Sequence, residues 1–319
     1  MSDRQDILLR KSGQASKMPL RRYLQRNLIL YAMCLPGLAV LVLFHYVPMY
    51  GILIAFKKYT VRLGIMGSPW VGLKNFNSFF RDPYAFRIIS NTFKLGLLSL
   101  LFGFPAPIIL ALMLNEVHSS KVKRVMQTIS YMPHFISVVI IVSIMNDIFA
   151  TTGGPVNEVL LKLGLISKPI TFIQSNQWFR TLYIGSNIWA GVGYSSIIYL
   201  AAMTNLNPEL YESAVLDGAN RFQQIWHITL PGIRPTITIL FIMAVGGIMG
   251  NDQQKILLMY SPRNYATADV LSTYVYRMGI EGANFGVSTA AGLFSNVVGL
   301  MFLLITNFVS GKLSDTSLL

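Results

Sequence analysis

Charged residues are scarce in this chain of 319 residues, since Asp, Glu, Lys and Arg together make up 12% of it. An average soluble domain carries about 25%. Hydrophobic residues make up 53% of the chain and fall into long runs. This composition excludes an ordinary soluble domain and predicts an all-α integral membrane protein, because a helix satisfies its own backbone hydrogen bonds in lipid.

Cysteine and histidine are also scarce. The single cysteine, Cys34, excludes a disulfide within the chain and a cysteine metal site. The four histidines are scattered, so no metal site is predicted. No phosphate-binding G-x-x-x-x-G-K-[ST] loop occurs, because Gly311-Lys312 is followed by Leu313. No catalytic constellation is found, so we do not expect this chain to be an enzyme. We also expect that it binds no cofactor itself and has no nucleic-acid partner.

Six apolar segments approach or exceed the length of about 20 residues that spans a bilayer. They lie near residues 28–56, 92–114, 125–149, 179–203, 235–260 and 285–310. The first is too long for a signal peptide, so it is predicted to be a retained span that Pro48 bends or ends. The expected organisation is a basic tail at 1–27, a transmembrane domain at 28–310 and a C-terminal tail at 311–319.

Lysine and arginine divide almost equally between the two predicted sides, so the positive-inside rule barely decides the orientation. The basic N-terminal tail and the first short inner loop favour both termini in the cytoplasm. The predicted outer loops are then unusually basic, and only Asp82, Glu158, Asp269 and Glu281 oppose their charge.

A polar insert, residues 207–235, separates the fourth and fifth apolar segments. Asn207-Pro208-Glu209 predicts a helix start, with Gly218 as the stop after Asp217. A second short helix is predicted from about Ala219 to His227, ended by Leu230-Pro231. Phe222, Ile225 and Trp226 would form its apolar face. The insert is either a docking surface for a partner protein or an amphipathic loop on the membrane surface.

The spacing within this insert resembles the cytoplasmic coupling loop of ABC importer permeases, E-A-A, three residues, G, nine residues, I-x-L-P. Here Glu212-Ser213-Ala214 is followed by Gly218, and then by Ile228, Leu230 and Pro231 at that spacing, with Ser213 as the one departure. Segment 70–76 resembles the outer loop of sugar-type permeases, and segment 269–277 resembles the branch of these permeases that imports complex oligosaccharides.

The resemblance implies a permease core of about six helices with a two-helix coupling loop at 205–235. It implies a bacterial inner-membrane location, a second homologous permease, two ATP-binding subunits that carry ATP and Mg²⁺, and a solute-binding protein. The residues implied to couple the chain to an ATPase are Glu212, Ser213, Ala214, Asp217, Gly218, Phe222, Ile228, Leu230 and Pro231.

Polar residues within the spans are candidates for the substrate pathway, because polar groups in lipid are costly and often functional. They are Asn187, Asn251, Asp252, Gln253, Lys255 and Asn296. For the group at 251–255, a wet loop after a helix that ends near Gly250 is the alternative. The basic outer loops favour an acidic, alginate-like oligosaccharide. A permease for another complex or neutral oligosaccharide and a motor-independent secondary transporter are the other hypotheses.

Overall fold

The computed structural model describes residues 27–314. Along the chain, the boundary between its two compact units falls between Leu53 and Ile54. Residues 1–26 and 315–319 lie outside the described residues. They include nearly all of the predicted N-terminal tail and part of the predicted C-terminal tail. The predicted all-α fold is confirmed: the only β-pairing among residues 27–314 is an isolated bridge between Lys57 and Trp70.

The first long helix, α1, runs without interruption over Leu28–Phe56. It includes a π-helical turn at Val42–Tyr46 and a 3-10 segment at Tyr50–Phe56. Pro48 follows the π-turn and does not end the helix, since the widened turn accommodates a residue without a backbone N–H. Apolar side chains are exposed along residues 28–50, as expected for a helix in an apolar medium.

Ten further helices carry the argument below. They are α2 (Ala85–Asn115), α3 (Ser120–Phe135), α4 (Val138–Ile148), α5 (Phe179–Thr204), α6 (Pro208–Leu216), α7 (Arg221–Gly232), α8 (Arg234–Gly246), α9 (Gln253–Met259), α10 (Leu271–Tyr276) and α11 (Phe285–Ser314). Short helical turns lie at Gly64–Gly67, Lys74–Phe80, Pro155–Lys162 and Tyr265–Ala268.

Two predicted spans are wrong as single helices. The third predicted span is two helices, α3 and α4, with a bend of 98° between them. Pro133 ends the regular α-helix, and Ser137, in an extended conformation, caps the new one by accepting from the Ile140 backbone N–H. The fifth ends at Gly246, and α9 is a separate short helix capped by Asp252. Among the described helices, α1, α2 and α11 are long and apolar enough to span a membrane, and counting each bent pair gives five.

Close backbone contacts hold the long helices of the second unit together. A Cβ built on Gly193 of α5 would lie 2.0 Å from the Ser130 carbonyl oxygen of α3. One built on Gly96 of α2 would lie 1.9 Å from the Ile248 carbonyl oxygen. No side chain larger than hydrogen fits at either place, which is how membrane helices commonly approach each other.

Candidate functional site

The first helix of the insert, α6, has the predicted ends. Asn207 precedes Pro208, and its side chain accepts from the Glu209 backbone N–H at 3.1 Å. Leu216 is the last helical residue, and Gly218 has φ +80°, a left-handed conformation suited to glycine. The Ala219 N–H then donates to the Ala214 carbonyl at 2.8 Å, which closes the helix end.

The second helix of the insert, α7, differs from the prediction at both ends. It begins at Arg221, where Asn220 and Gln223 form a reciprocal capping box. It does not stop at Leu230-Pro231 but continues to Gly232. A π-turn at Ile225–Thr229 widens the helix directly before the proline, so Pro231 neither needs an N–H nor clashes with the preceding turn.

The two helices of the insert are hydrogen-bonded to each other. The hydroxyls of Tyr211 and Thr229 share a hydrogen bond of 2.9 Å, and Thr229 is buried. The buried Gln224 amide donates to the Ala219 carbonyl at 3.0 Å. α6, the glycine turn and α7 therefore form one compact body.

The surface of this body combines exposed apolar and acidic side chains. Leu216 is 88% exposed, Phe222 72% and Trp226 60%, and the last two rings stack with centroids 6.3 Å apart. Glu212, Ser213 and Asp217 are exposed as well. A groove of about 300 Å³ is lined by Ala214, Asp217, Gly218, Ala219, Gln223, Gln224, His227 and Ile228. Of the other predicted coupling residues, Leu230 is half-buried and Pro231 exposed.

Arg221 connects the insert to the loop between α2 and α3. Its guanidinium donates to Nε2 of His118 at 2.8 Å and forms an ion pair with Glu116 at 3.4 Å. Both partners precede the N-cap of α3, so this contact joins the insert to the helix pair α2–α3.

A cavity of about 790 Å³ lies among α2, α3, α5 and α8. Polar side chains on its wall include Ser99, His134, Tyr183, Asn187, Tyr194, Ser195, Asn251 and Asp252. Apolar residues such as Leu100, Phe104, Ile198 and Leu240 complete it. The hydroxyl, amide and aromatic groups that line this cavity suit the hydroxyls and apolar ring faces of sugars.

Three of the six predicted pathway residues line this cavity, and a fourth contacts one of them. Asn187, Asn251 and Asp252 line it directly. Lys255 lies behind Asn187, and its ammonium donates to Asn187 Oδ1 at 2.6 Å. The Asp252 backbone N–H donates to the Tyr183 hydroxyl at 3.0 Å, which fixes the break between α8 and α9 against α5.

The remaining two predicted pathway residues do not join this cavity. Gln253 and Asn296 are absent from its wall, and Asn296 is exposed on α11. The sequence reasoning missed a cavity-lining aromatic pair, His134 and Tyr194, whose rings stack with centroids 4.0 Å apart. Tyr194 lies two helical turns after Asn187, so their shared helix face was a usable signal.

Segment 269–277, which resembles sugar permeases and is predicted to be an outer loop, forms a hydrogen-bonded network with its neighbours. Arg277 makes a two-point ion pair with Asp269, at 3.1 and 3.0 Å, and also donates to the Tyr260 hydroxyl at 2.5 Å. Burial, reinforced by the Asp269 carboxylate, raises the pKa of Tyr260 above its ordinary value, so this hydroxyl remains protonated. The network is structural and uses two of the charges counted in the predicted outer loops.

The same network reaches the start of α2. The Asn91 amide donates to the Asp269 carbonyl at 3.1 Å and accepts from Arg180 at 2.9 Å. Lys57 is also engaged, since its ammonium donates to the Ile65 carbonyl at 2.7 Å and closes the loop at 57–70. Fewer basic side chains of the predicted outer loops are therefore free than the sequence count suggests. Lys58 and Arg62 in this loop are exposed.

Residues 103–315 match the family of binding-protein-dependent transport system inner membrane components. The chain belongs to this family. It is a permease component of an ABC-type sugar importer, not an ATPase. This confirms the resemblance seen in the insert, since the family match includes the whole of residues 207–235.

The permease has relatives that align along nearly its whole length. It is 41% identical to the polygalacturonan/rhamnogalacturonan transport system permease protein YteP of Bacillus subtilis, over 97% of this chain and 95% of YteP. It is 44% identical, with a TM-score of 0.84, to a chain of a bacterial ABC transporter involved in import of the acidic polysaccharide alginate, covering 92% and 99% of the two chains. A bacterial alginate ABC transporter bound to an alginate-pentasaccharide-loaded periplasmic protein matches at 43% identity and TM-score 0.85, covering 93% and 99%.

Proposed function

We propose that the permease imports acidic oligosaccharides, of the alginate or pectin type, across the bacterial inner membrane. It works with a second homologous permease, two ATP-hydrolysing subunits and a solute-binding protein that delivers the sugar. ATP and Mg²⁺ are bound by the ATPase subunits, and both termini of the permease lie in the cytoplasm.

One observation carries the substrate class. Near-full-length similarity joins this chain to permeases for two chemically distinct polysaccharides, polygalacturonan/rhamnogalacturonan and alginate, and both contain sugar carboxylates. The cavity supports a carbohydrate ligand, because its volume of about 790 Å³ lies within the about 300–1,000 Å³ of small-molecule sites. Its wall presents amide, hydroxyl and aromatic groups rather than a hydrophobic lining alone.

The insert supports the proposed power source. Exposed Leu216, Phe222 and Trp226 would be poorly solvated on a free aqueous loop, and they lie beside the exposed carboxylates of Glu212 and Asp217. Such a surface fits a cleft with an apolar floor and basic rim. We place an ATPase subunit there, so that closure of the two ATPases displaces the insert and alternates access to the cavity.

The test is ATP hydrolysis by the purified complete complex in nanodiscs, with binding protein loaded with acidic or neutral oligosaccharides of equal length. We expect oligouronates to stimulate hydrolysis and to be taken up in proteoliposomes, because the loaded binding protein favours one state of the transporter. The unloaded binding protein is the control. Greater stimulation by neutral oligosaccharides would contradict the substrate class. Uptake by the permease alone, driven by an ion gradient, would contradict the ATP-driven mechanism.

A further inference from the structure

Lys255 is a buried cation without a carboxylate partner. Its side chain is 1% exposed. Lys255 takes part in neither of the ion pairs described above, Arg221–Glu116 and Arg277–Asp269. Among residues 27–314, no carboxylate oxygen lies within 4.0 Å of its ammonium nitrogen, the distance that defines an ion pair. A buried charge is costly unless it is paired and hydrogen-bonded, so a buried lysine that forms no ion pair calls for an explanation.

The contacts of Lys255 satisfy only part of its ammonium group. One donor is used by Asn187 Oδ1 at 2.6 Å, and the Tyr183 ring lies 5.6 Å away. Asp252 is the nearest acidic residue along the chain. Its Oδ1 accepts from the Lys255 backbone N–H at 3.0 Å and caps α9, so the Asp252 carboxylate attracts the ammonium from a distance without forming an ion pair with it.

The position of Lys255 directs its charge toward the cavity. Asn187 and Tyr183, the two residues that contact its ammonium, both line the cavity wall, whereas Lys255 does not. The ammonium is thus one side chain removed from the space where substrate passes. Protein surroundings screen a charge far less than water does, so its potential extends into that space.

We propose that Lys255 is the specificity-determining residue by which the cavity favours carboxylated over neutral sugars. The inference rests on the proposed function and deepens it. A sugar carboxylate in the cavity adds a second counter-charge to that of Asp252, and Asn187, held by Lys255, presents its amide to the same ligand. A neutral sugar of equal size finds the hydrogen-bonding groups but not the charge compensation.

The experiment measures equilibrium binding to the purified permease–ATPase complex without binding protein. The probes are a fluorescent oligouronate and the same oligomer with its carboxyls reduced to alcohols. We expect the wild-type complex to prefer the acidic probe and Lys255→Met to lower that preference about tenfold, as for one charge about 10 Å away at an effective dielectric of about 20. Lys255→Arg keeps the charge and should keep the preference.

Two further variants separate this role from a structural one. Asn187→Asp leaves the lysine in place but supplies a protein counter-charge, so the acidic preference should fall as in Lys255→Met. Lys162→Met removes an equal charge from an exposed position remote in sequence and should change nothing. Should Lys255→Met fail to assemble, Asn187→Asp still decides the question.

The outcomes distinguish the two proposals. An acidic preference that is present in the wild-type complex and unchanged in Lys255→Met or Asn187→Asp overturns the role of Lys255 alone. A wild-type complex that prefers the reduced, neutral probe overturns the proposed substrate class and the role of Lys255 with it.

Discussion

Gly218 shows how a single residue sets the geometry of the insert. Its φ of +80° is accessible to glycine, and a Cβ added there would meet no atom within 4 Å. The cost of Gly218→Ala is therefore that of the left-handed backbone alone, roughly 1–2 kcal/mol. We expect less ATPase subunit to co-purify with the Ala variant, and transport to fall in proportion.

The matched control is Gly218→Asn, because asparagine visits the left-handed region far more readily than alanine. It should retain most of the ATPase and most of the transport. If both variants behave like the wild-type chain, then the turn geometry is not what the ATPase recognises.

The ends of α6 could be predicted because they are local. Asn207, Pro208 and Gly218 act on backbone groups within a few residues of themselves, so their pattern is legible in the sequence. The contact of Lys255 with Asn187 and the stack of His134 on Tyr194 join residues far apart in the chain. No local pattern specifies which of several polar residues in a span will meet, so these pairs were not predicted.

At the scale of whole helices, hydropathy located the spans but not their breaks. A count of apolar residues does not report a change of chain direction. The sequence therefore predicts one span where the structure has two helices, α3 and α4, with a bend at residues 133–137. Likewise the fifth span is predicted to run to Tyr260, whereas α8 ends at Gly246, close to the alternative end near Gly250, and residues 253–259 form the helix α9. Pro231 shows the opposite error, because it predicts the end of a helix that in fact continues to Gly232. The π-turn before this proline allows the helix to continue.

Packing between helices can be tested at Gly193 of α5. A Cβ there would lie 2.0 Å from the Ser130 carbonyl oxygen, so Gly193→Ala must push α3 away. Overpacking of this kind costs typically about 1–3 kcal/mol. We expect a lower unfolding temperature of the complex in detergent. Gly185→Ala, on the same helix with nothing within 4 Å, should be neutral. Equal unfolding temperatures for the two variants would show that the helices do not meet this closely.

At the scale of the whole molecule, the net charge of +13 is available for long-range attraction. Lys57 is unsuitable for testing it, because its ammonium closes the loop at 57–70. The double variant Lys58→Glu with Arg62→Glu reverses two exposed charges and leaves the Lys57 hydrogen bond of this loop in place. We expect slower uptake at low salt and a flatter dependence of uptake on ionic strength, since steering is screened beyond the Debye length.

The matched control reverses Lys121 and Lys123, which are equal in charge, exposed or half-exposed, and on the predicted inner side. It should leave the association rate with the loaded binding protein unaltered. Identical salt dependence in both double variants would mean that the outer charge does not steer the encounter.

The hydrogen bonds within the insert have a consequence for mechanical stiffness. The Tyr211–Thr229 and Gln224–Ala219 contacts leave little freedom between α6 and α7, and α7 passes through the buried Ile233 into α8 at 64°. We expect a push on the exposed end of the insert to move α6 and α7 as one body. Because α8 follows directly at Ile233 and lines the cavity at Leu240 and Ala244, that displacement would change the cavity wall.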